Sequence, residues 1–230
     1  MTAVRSDEDV RRAEDHANAG LWLPAGRHGS VEVQHRWVAR VPALFVDGRR
    51  VPGGVRMVDA VVAPDTSGAR EEVVLYRDGV VWMSSTPSEV FEHRLVLEKA
   101  RQLDARRALV SGLGLGLVDA ALAAASPVEH VDVVEIDPDV IGLVGPPLVA
   151  FAAQHGTTVE IHEADAYSIE WPDDARWDLA WHDVWPTIDF RNLIGIADLM
   201  TKYGPHVRWQ ECWERPRLSK DWELLQWRLR

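Results

Sequence analysis

Ala108-Leu109-Val110-Ser111-Gly112-Leu113-Gly114-Leu115-Gly116-Leu117 is the stretch whose reading decides the fold. A short apolar strand runs into three alternate glycines, and the glycines run into an apolar helix start. Glycine there lets the backbone bend sharply and approach a ligand closely, while the helix N-terminus turns its unpaired N–H groups toward the same place. Ser111, Gly112, Gly114 and Gly116 are therefore candidate cofactor-binding residues.

Downstream, Val131-Asp132-Val133-Val134-Glu135-Ile136-Asp137-Pro138 is an apolar strand that ends in a carboxylate about twenty positions after the glycine turn. Such a carboxylate accepts hydrogen bonds from both hydroxyls of a ribose, so Glu135 and the adjacent Ile136 join the cofactor set. Asp137 and Pro138 read as a helix cap and first-turn residue. A dinucleotide fingerprint would put its third glycine where Leu117 stands; glycine falls one residue earlier, and this compact spacing favours an adenosylmethionine-type site over a nicotinamide site.

Two further strand ends complete the set. Glu163-Ala164-Asp165-Ala166 offers Asp165, with Ala166 beside it, as an acceptor for an adenine amino group; a turn-forming role for Asp165 is the competing reading. Trp177-Asp178-Leu179-Ala180-Trp181-His182-Asp183-Val184-Trp185-Pro186 ends in His-Asp at the edge where reacting groups gather. His182 is a candidate base near neutral pH, and Asp183 is a candidate to orient or deprotonate an acceptor. Alternation along a strand lets only one of them face a pocket, and Asp183 is preferred. Eight of the eleven tryptophans lie between Trp171 and Trp227. Trp181, Trp185, Trp209 and Trp213 are read either as an aromatic wall or as core packing, with Trp185 the candidate substrate contact.

Around these motifs the chain alternates strand and helix: strands at 108–111, 131–135, 158–162, 178–182 and 207–210, helices at 117–125, 139–155 and 188–202. This rhythm predicts an α/β, Rossmann-like, doubly wound and mainly parallel sheet, order 3-2-1-4-5. Before it come short β-branched runs at 31–38, 43–46, 55–62 and 73–83, a small N-terminal antiparallel β module. Its turns fall at Asp47-Gly48 and Asp78-Gly79, pairs that supply the positive φ a tight hairpin requires. A helix from Ser88 to about Gln102 is expected to bury Phe91, Leu95, Leu97 and Ala100. Residues 1–30 read as an exposed helix capped by Ser6 or as a tail, 31–87 as the β module and 88–230 as the cofactor-binding domain.

A formal net charge of −11 leaves no broad basic surface for phosphates, so the expected partner is a small-molecule acceptor and not nucleic acid. No apolar run approaches the length of a membrane span, and no membrane partner is expected. The single cysteine, Cys212, and the acidic start Ser6-Asp7-Glu8-Asp9 point to the cytoplasm. Scattered histidines and one thiol predict no metal site. A homodimer is left open.

These elements, in this order, resemble the class I S-adenosylmethionine-dependent methyltransferases, and in particular their spermidine synthase-like branch. Val134-Glu135-Ile136-Asp137-Pro138 is similar to that branch's acidic strand end. Asp78-Gly79-Val80-Val81-Trp82, with Glu89 and Phe91-Glu92-His93, is similar to the hairpin and helix start of aminopropyltransferases. The resemblance covers residues 73 to 185. It implies S-adenosyl-L-methionine as cofactor and methyl transfer to a small molecule; aminopropyl transfer from decarboxylated S-adenosylmethionine is the alternative, and a noncatalytic nucleoside- or partner-binding module is the third. Trp82 replaces that branch's glutamine, and His182-Asp183-Val184-Trp185-Pro186 replaces its Asp-Ser-Ser-Asp-Pro, which weighs against a dedicated polyamine site. Ser111 replaces the acidic residue that usually precedes a methyltransferase glycine turn.

Overall fold

The computed structural model describes residues 6–43, 45–46, 49–50, 56–187, 189, 191–213 and 215. In chain order its elements are α1 (Asp7–Ala19), β1 (Gly26–His28), β2 (Val31–Ala43), β3 (Phe45–Val46), β4 (Arg49–Arg50), β5 (Arg56–Val61), β6 (Arg70–Arg77), β7 (Val80–Ser84) and α2 (Pro87–Leu103). There follow β8 (Arg107–Ser111), α3 (Leu117–Ala125), β9 (His130–Glu135), α4 (Pro138–Gln154), β10 (Thr158–Glu163), β11 (Trp177–His182), α5 (Asn192–Tyr203) and β12 (Val207–Cys212).

Ser6 caps α1 through a capping box: its hydroxyl accepts the Asp9 amide, and the Asp9 carboxylate accepts the Ser6 amide. The sequence suggests a solvent-exposed helix here. The structure instead lays α1 against α3, burying Ala17 and Asn18, and Glu14 pairs with Arg101 of α2. The helix has a small-residue face that a charge-dominated reading overlooks.

The antiparallel module is organised on β2, which pairs with β1, β5 and β6, while β6 turns back into β7. Asp78 (φ 50°) and Gly79 (φ 76°) make the β6–β7 turn, both in the left-handed region that a two-residue hairpin demands. The companion turn at Asp47-Gly48 lies outside the described residues, as do Val55 at the start of the third run and Trp222 and Trp227. Alternation sends Val31, Val33, Val73 and Leu75 inward, where they join one apolar cluster with α3, β8 and β9. The module therefore shares its core with the parallel sheet.

Helix α2 departs from its expected face. Its buried side chains are His93, Val96, Leu97 and Ala100, whereas Phe91 and Leu95 are exposed. The spacing 93, 96/97, 100 is a proper helical stripe, and a histidine at its head hid it.

The second sheet runs β10-β9-β8-β11-β12, and every adjacent pair in it is parallel. Ala108, Val110, Val131, Val133, Leu179 and Trp181 face one way, into the cluster built with α3 and α4. Leu109, Val134 and Ala180 face the other, against Leu199 and Tyr203 of α5. Helices cover both faces, so β8, β9 and β11 are apolar throughout most of their length. Helix α5 begins at Asn192, later than the expected 188, and Ile188 is outside the described residues. Among the described residues, no helix is long and apolar enough to cross a membrane.

Candidate functional site

Hydrogen bonding continues past the carboxyl ends of the central strands. The Gly112 amide donates to the Val134 carbonyl (2.8 Å), the Asp183 amide to the Ser111 carbonyl (2.7 Å) and the Ala164 amide to the Glu135 carbonyl (2.9 Å). These bonds hold three loops around a cavity of about 460 Å³, within the range of small-molecule sites. Farther out, Tyr203 donates to the Ala166 carbonyl, and Lys202 to those of Tyr167 and Ile169, which fixes the loop after β10.

The glycine turn is explained first by the protein's own packing. Gly112 sits at φ 93°, and a Cβ there would lie 1.9 Å from the Asp183 carbonyl oxygen, an approach of backbone on backbone that no side chain permits. A Cβ on Gly114 would meet the Met83 sulfur at 2.6 Å. Both glycines line the cavity. Gly116 does not: it is the N-cap of α3 and faces Trp22, Val144 and Leu148, so its expected cofactor contact is replaced by a helix-starting role.

Glu135 lines the cavity, with its carboxylate anchored on both sides. One oxygen accepts the Leu113 amide and the other the Asp137 amide, each at 2.8 Å. A carboxylate oxygen has a second lone pair, so this anchoring fixes its orientation and leaves capacity for hydroxyl donors. Ile136 beside it is exposed and lines the cavity, as do Asp165 and Ala166. Asp165 also accepts the Tyr167 amide through Oδ1 (2.9 Å), so its turn role is present together with its cavity position.

Two expected site residues are turned away. Ser111 and His182 are fully buried and bonded to each other, Oγ to Nδ1 at 2.9 Å; His182 Nε2 lies 3.3 Å from Gln210 Oε1. Neither lines the cavity. Burial pushes the His182 imidazole down to about 4, which makes it a neutral packing residue and not a base at neutral pH. Strand alternation then gives the next residue, Asp183, to the cavity. It is half-buried, and burial, followed by the negative charges of Glu89, Glu92 and Glu135, pushes its carboxyl up to about 7. A carboxyl titrating there can hold or accept a proton near neutral pH.

Trp181, Trp185 and Trp213 line the cavity, and Trp209 does not; Trp209 lies under the Lys99 ammonium. Trp82 takes its place in the wall, with the Arg77 guanidinium stacked 5.0 Å from its ring centroid. Arg77 also pairs with Asp137.

Sequence reasoning gave no site role to two buried polar residues of the cavity. His93 of α2 and Asp119 of α3 are buried, and His93 Nδ1, Asp119 Oδ1 and Trp181 Nε1 have no hydrogen-bond partner among the described residues. Burial lowers His93 to about 4 and raises Asp119 to about 8, with Glu135 adding to the latter shift. The signal for Asp119 was available: it is the one polar residue in Leu117–Ala125, a helix buried all round.

The opposite edge of the sheet carries a different cluster. Asp132 accepts from Trp177 (2.7 Å) and Arg107 (3.3 Å) and contacts His162 (2.9 Å) and His130 (3.3 Å). His130, Asp132 and Glu160 bring ligand-type atoms within 4.8 Å of one another, a grouping that scattered histidines in the sequence concealed. The partners already around Asp132 account for it as an ion-pair network.

No family model matches the chain, and no curated protein matches it. Solved structures do. A SAH-bound methyltransferase of Podospora anserina is 17% identical with a TM-score of 0.41, over 54% of this chain and 52% of that one. SAM-bound CalS10, an amino pentose methyltransferase from Micromonospora echinaspora, is 19% identical with a TM-score of 0.34, over 54% and 50%. The chain spans about half the length of these proteins.

Proposed function

We propose that this protein is an S-adenosylmethionine-dependent methyltransferase acting on a small molecule. One observation carries the reading: the glycine turn, the Glu135 strand end and the Asp165 loop converge on one cavity at the carboxyl edge of a parallel sheet, with Asp183 in its wall. The unpartnered Asp119, His93 and Trp181 atoms fit a polar ligand in that cavity, since buried polar groups without partners are costly unless something else satisfies them. In this reading Glu135 accepts the ribose hydroxyls, Asp165 accepts an adenine N–H, and Ile136 and Ala166 flank the base.

Bound there, S-adenosylmethionine would supply an electrophilic methyl carbon on a sulfonium, with the neutral thioether as its leaving group. The chain's own work is alignment, exclusion of water and removal of one proton. Asp183 takes the acceptor proton. Trp82, Trp181, Trp185 and Trp213 shield the centre and favour a cation over their faces, with Trp185 the substrate contact.

Aminopropyl transfer from decarboxylated S-adenosylmethionine is the second reading, and one observation favours it. Arg77 is the one arginine or lysine among the described residues lining the cavity, and it is engaged by Asp137, so none of the described basic side chains there is free for a cofactor carboxylate. Incubation of the full chain with a panel of amines and phenols and either cofactor, read by mass spectrometry, tests the proposal. The expected product carries one added methyl group. An aminopropyl adduct would replace the first reading with the second, and binding with no transfer to any acceptor would favour the noncatalytic module.

A further inference from the structure

We propose that Asp119 is the counter-ion for the α-ammonium group of the bound nucleoside, a duty that Ser111, buried against His182, cannot perform. The inference rests on the cofactor reading above and extends it to the amino-acid end of the ligand.

Asp119 lies in the first turn of α3, directly after the glycine turn, and its side chain lines the cavity. It is 1% exposed, and its Oδ1 has no hydrogen-bond partner among the described residues. An acid so deeply buried and so poorly satisfied is expensive to keep for packing alone, and a helix as apolar as α3 would be better served by alanine. The nearest compensation is a cationic donor arriving from the cavity.

The neighbours are of the right sign to leave that duty to a ligand. Glu135 at the end of β9 is close enough to repel an Asp119 anion. From α2 the cavity receives Glu89 and His93, the latter neutral through burial. After β11 it receives Asp183, and at the start of α4 Asp137, already neutralised by Arg77 of β6. No described side chain of α1 lines it. Without ligand, Asp119 stays protonated at neutral pH, because burial raises its carboxyl to about 8. An alkylammonium brought into contact stabilises the anion and drives the proton off, so binding and proton release are coupled.

The test is calorimetric titration of the full chain and of Asp119→Asn with two probes, S-adenosylhomocysteine, which carries the ammonium, and 5′-methylthioadenosine, which lacks it. Asp119→Asn is expected to weaken S-adenosylhomocysteine at least tenfold and to leave methylthioadenosine within twofold. In the unaltered chain at pH 7, titrations in two buffers of different ionisation enthalpy are expected to report close to one proton released per S-adenosylhomocysteine bound and none with methylthioadenosine. This readout does not depend on the variant's folding. Equal weakening of both probes, or unchanged S-adenosylhomocysteine affinity, or no proton release, would overturn the counter-ion. Failure of both probes to bind the unaltered chain would instead overturn the cofactor reading, and the counter-ion with it.

Discussion

The two ends of the parallel sheet treat the same residue type in opposite ways. At the amino-terminal end Asp132 is surrounded by Trp177, His162, Arg107 and His130, and Asp178 accepts the Arg106 and Arg107 amides and the Arg208 guanidinium. Although burial opposes it, these partners hold both carboxyls below the ordinary aspartate value. At the carboxyl end Asp119 and Asp183 are pushed up to about 8 and about 7, chiefly by burial, and Glu89 is raised for the same reason. The difference teaches where the fold has finished its own chemistry and where it has left groups for a ligand. Polar groups paired inside the protein stabilise it; buried acids left unpaired in the wall of a cavity mark a candidate site.

The largest expected contrast is catalytic. Asp183→Asn should lower kcat by about 10²–10⁴, the usual contribution of a positioned base, with S-adenosylhomocysteine affinity nearly unchanged. Steady-state kinetics on the acceptor found by mass spectrometry checks this, and full activity in the variant would remove Asp183 from the reaction. At the other end, Asp132→Ala strands the Trp177 and Arg107 donors. A loss of about 3 kcal/mol is expected in chemical denaturation, with no corresponding loss for Asp119→Asn. Equal losses for the two variants would erase the contrast.

A smaller effect sharpens it through pH. Asp119 and Asp183 have raised values in the folded chain, so between roughly pH 4 and 8 the folded, ligand-free protein holds more protons than the unfolded chain, and its stability falls as pH rises. Asp132 and Asp178, being lowered, contribute stability above the unfolded aspartate value that disappears as pH falls. Asp119→Asn should therefore raise Tm by at least about 4 °C at pH 8, by less at pH 4.5 and by almost nothing at pH 3, below the unfolded aspartate value. A pH-independent difference would contradict the titration of Asp119.

What was legible in the sequence was local. The glycine turn, the Glu135 strand end and the Asp78-Gly79 hairpin each declare themselves within about ten residues, because backbone conformation and strand period are short-range properties. The partners that decide side-chain fate are distant. Ser111 and His182 are 71 positions apart, and nothing near either shows that they satisfy each other. The packing of α1 on α3, the buried stripe headed by His93 and the close approach of the Asp183 carbonyl to Gly112 are likewise tertiary facts. Asp119 was hidden for another reason: an acid in a helix's first turn is ordinary, and only the burial of every residue around it makes it unusual.

The central claim is that the carboxyl-edge cavity holds an adenosine-bearing cofactor oriented by Glu135. Calorimetric titration of S-adenosylhomocysteine into the full chain and into Glu135→Ala tests it most directly. The account predicts saturable one-to-one binding to the unaltered chain and an affinity weaker by about 100-fold in the variant, the loss of two charge-assisted hydrogen bonds. Undiminished affinity in Glu135→Ala, with the variant shown to be folded by circular dichroism, would contradict it.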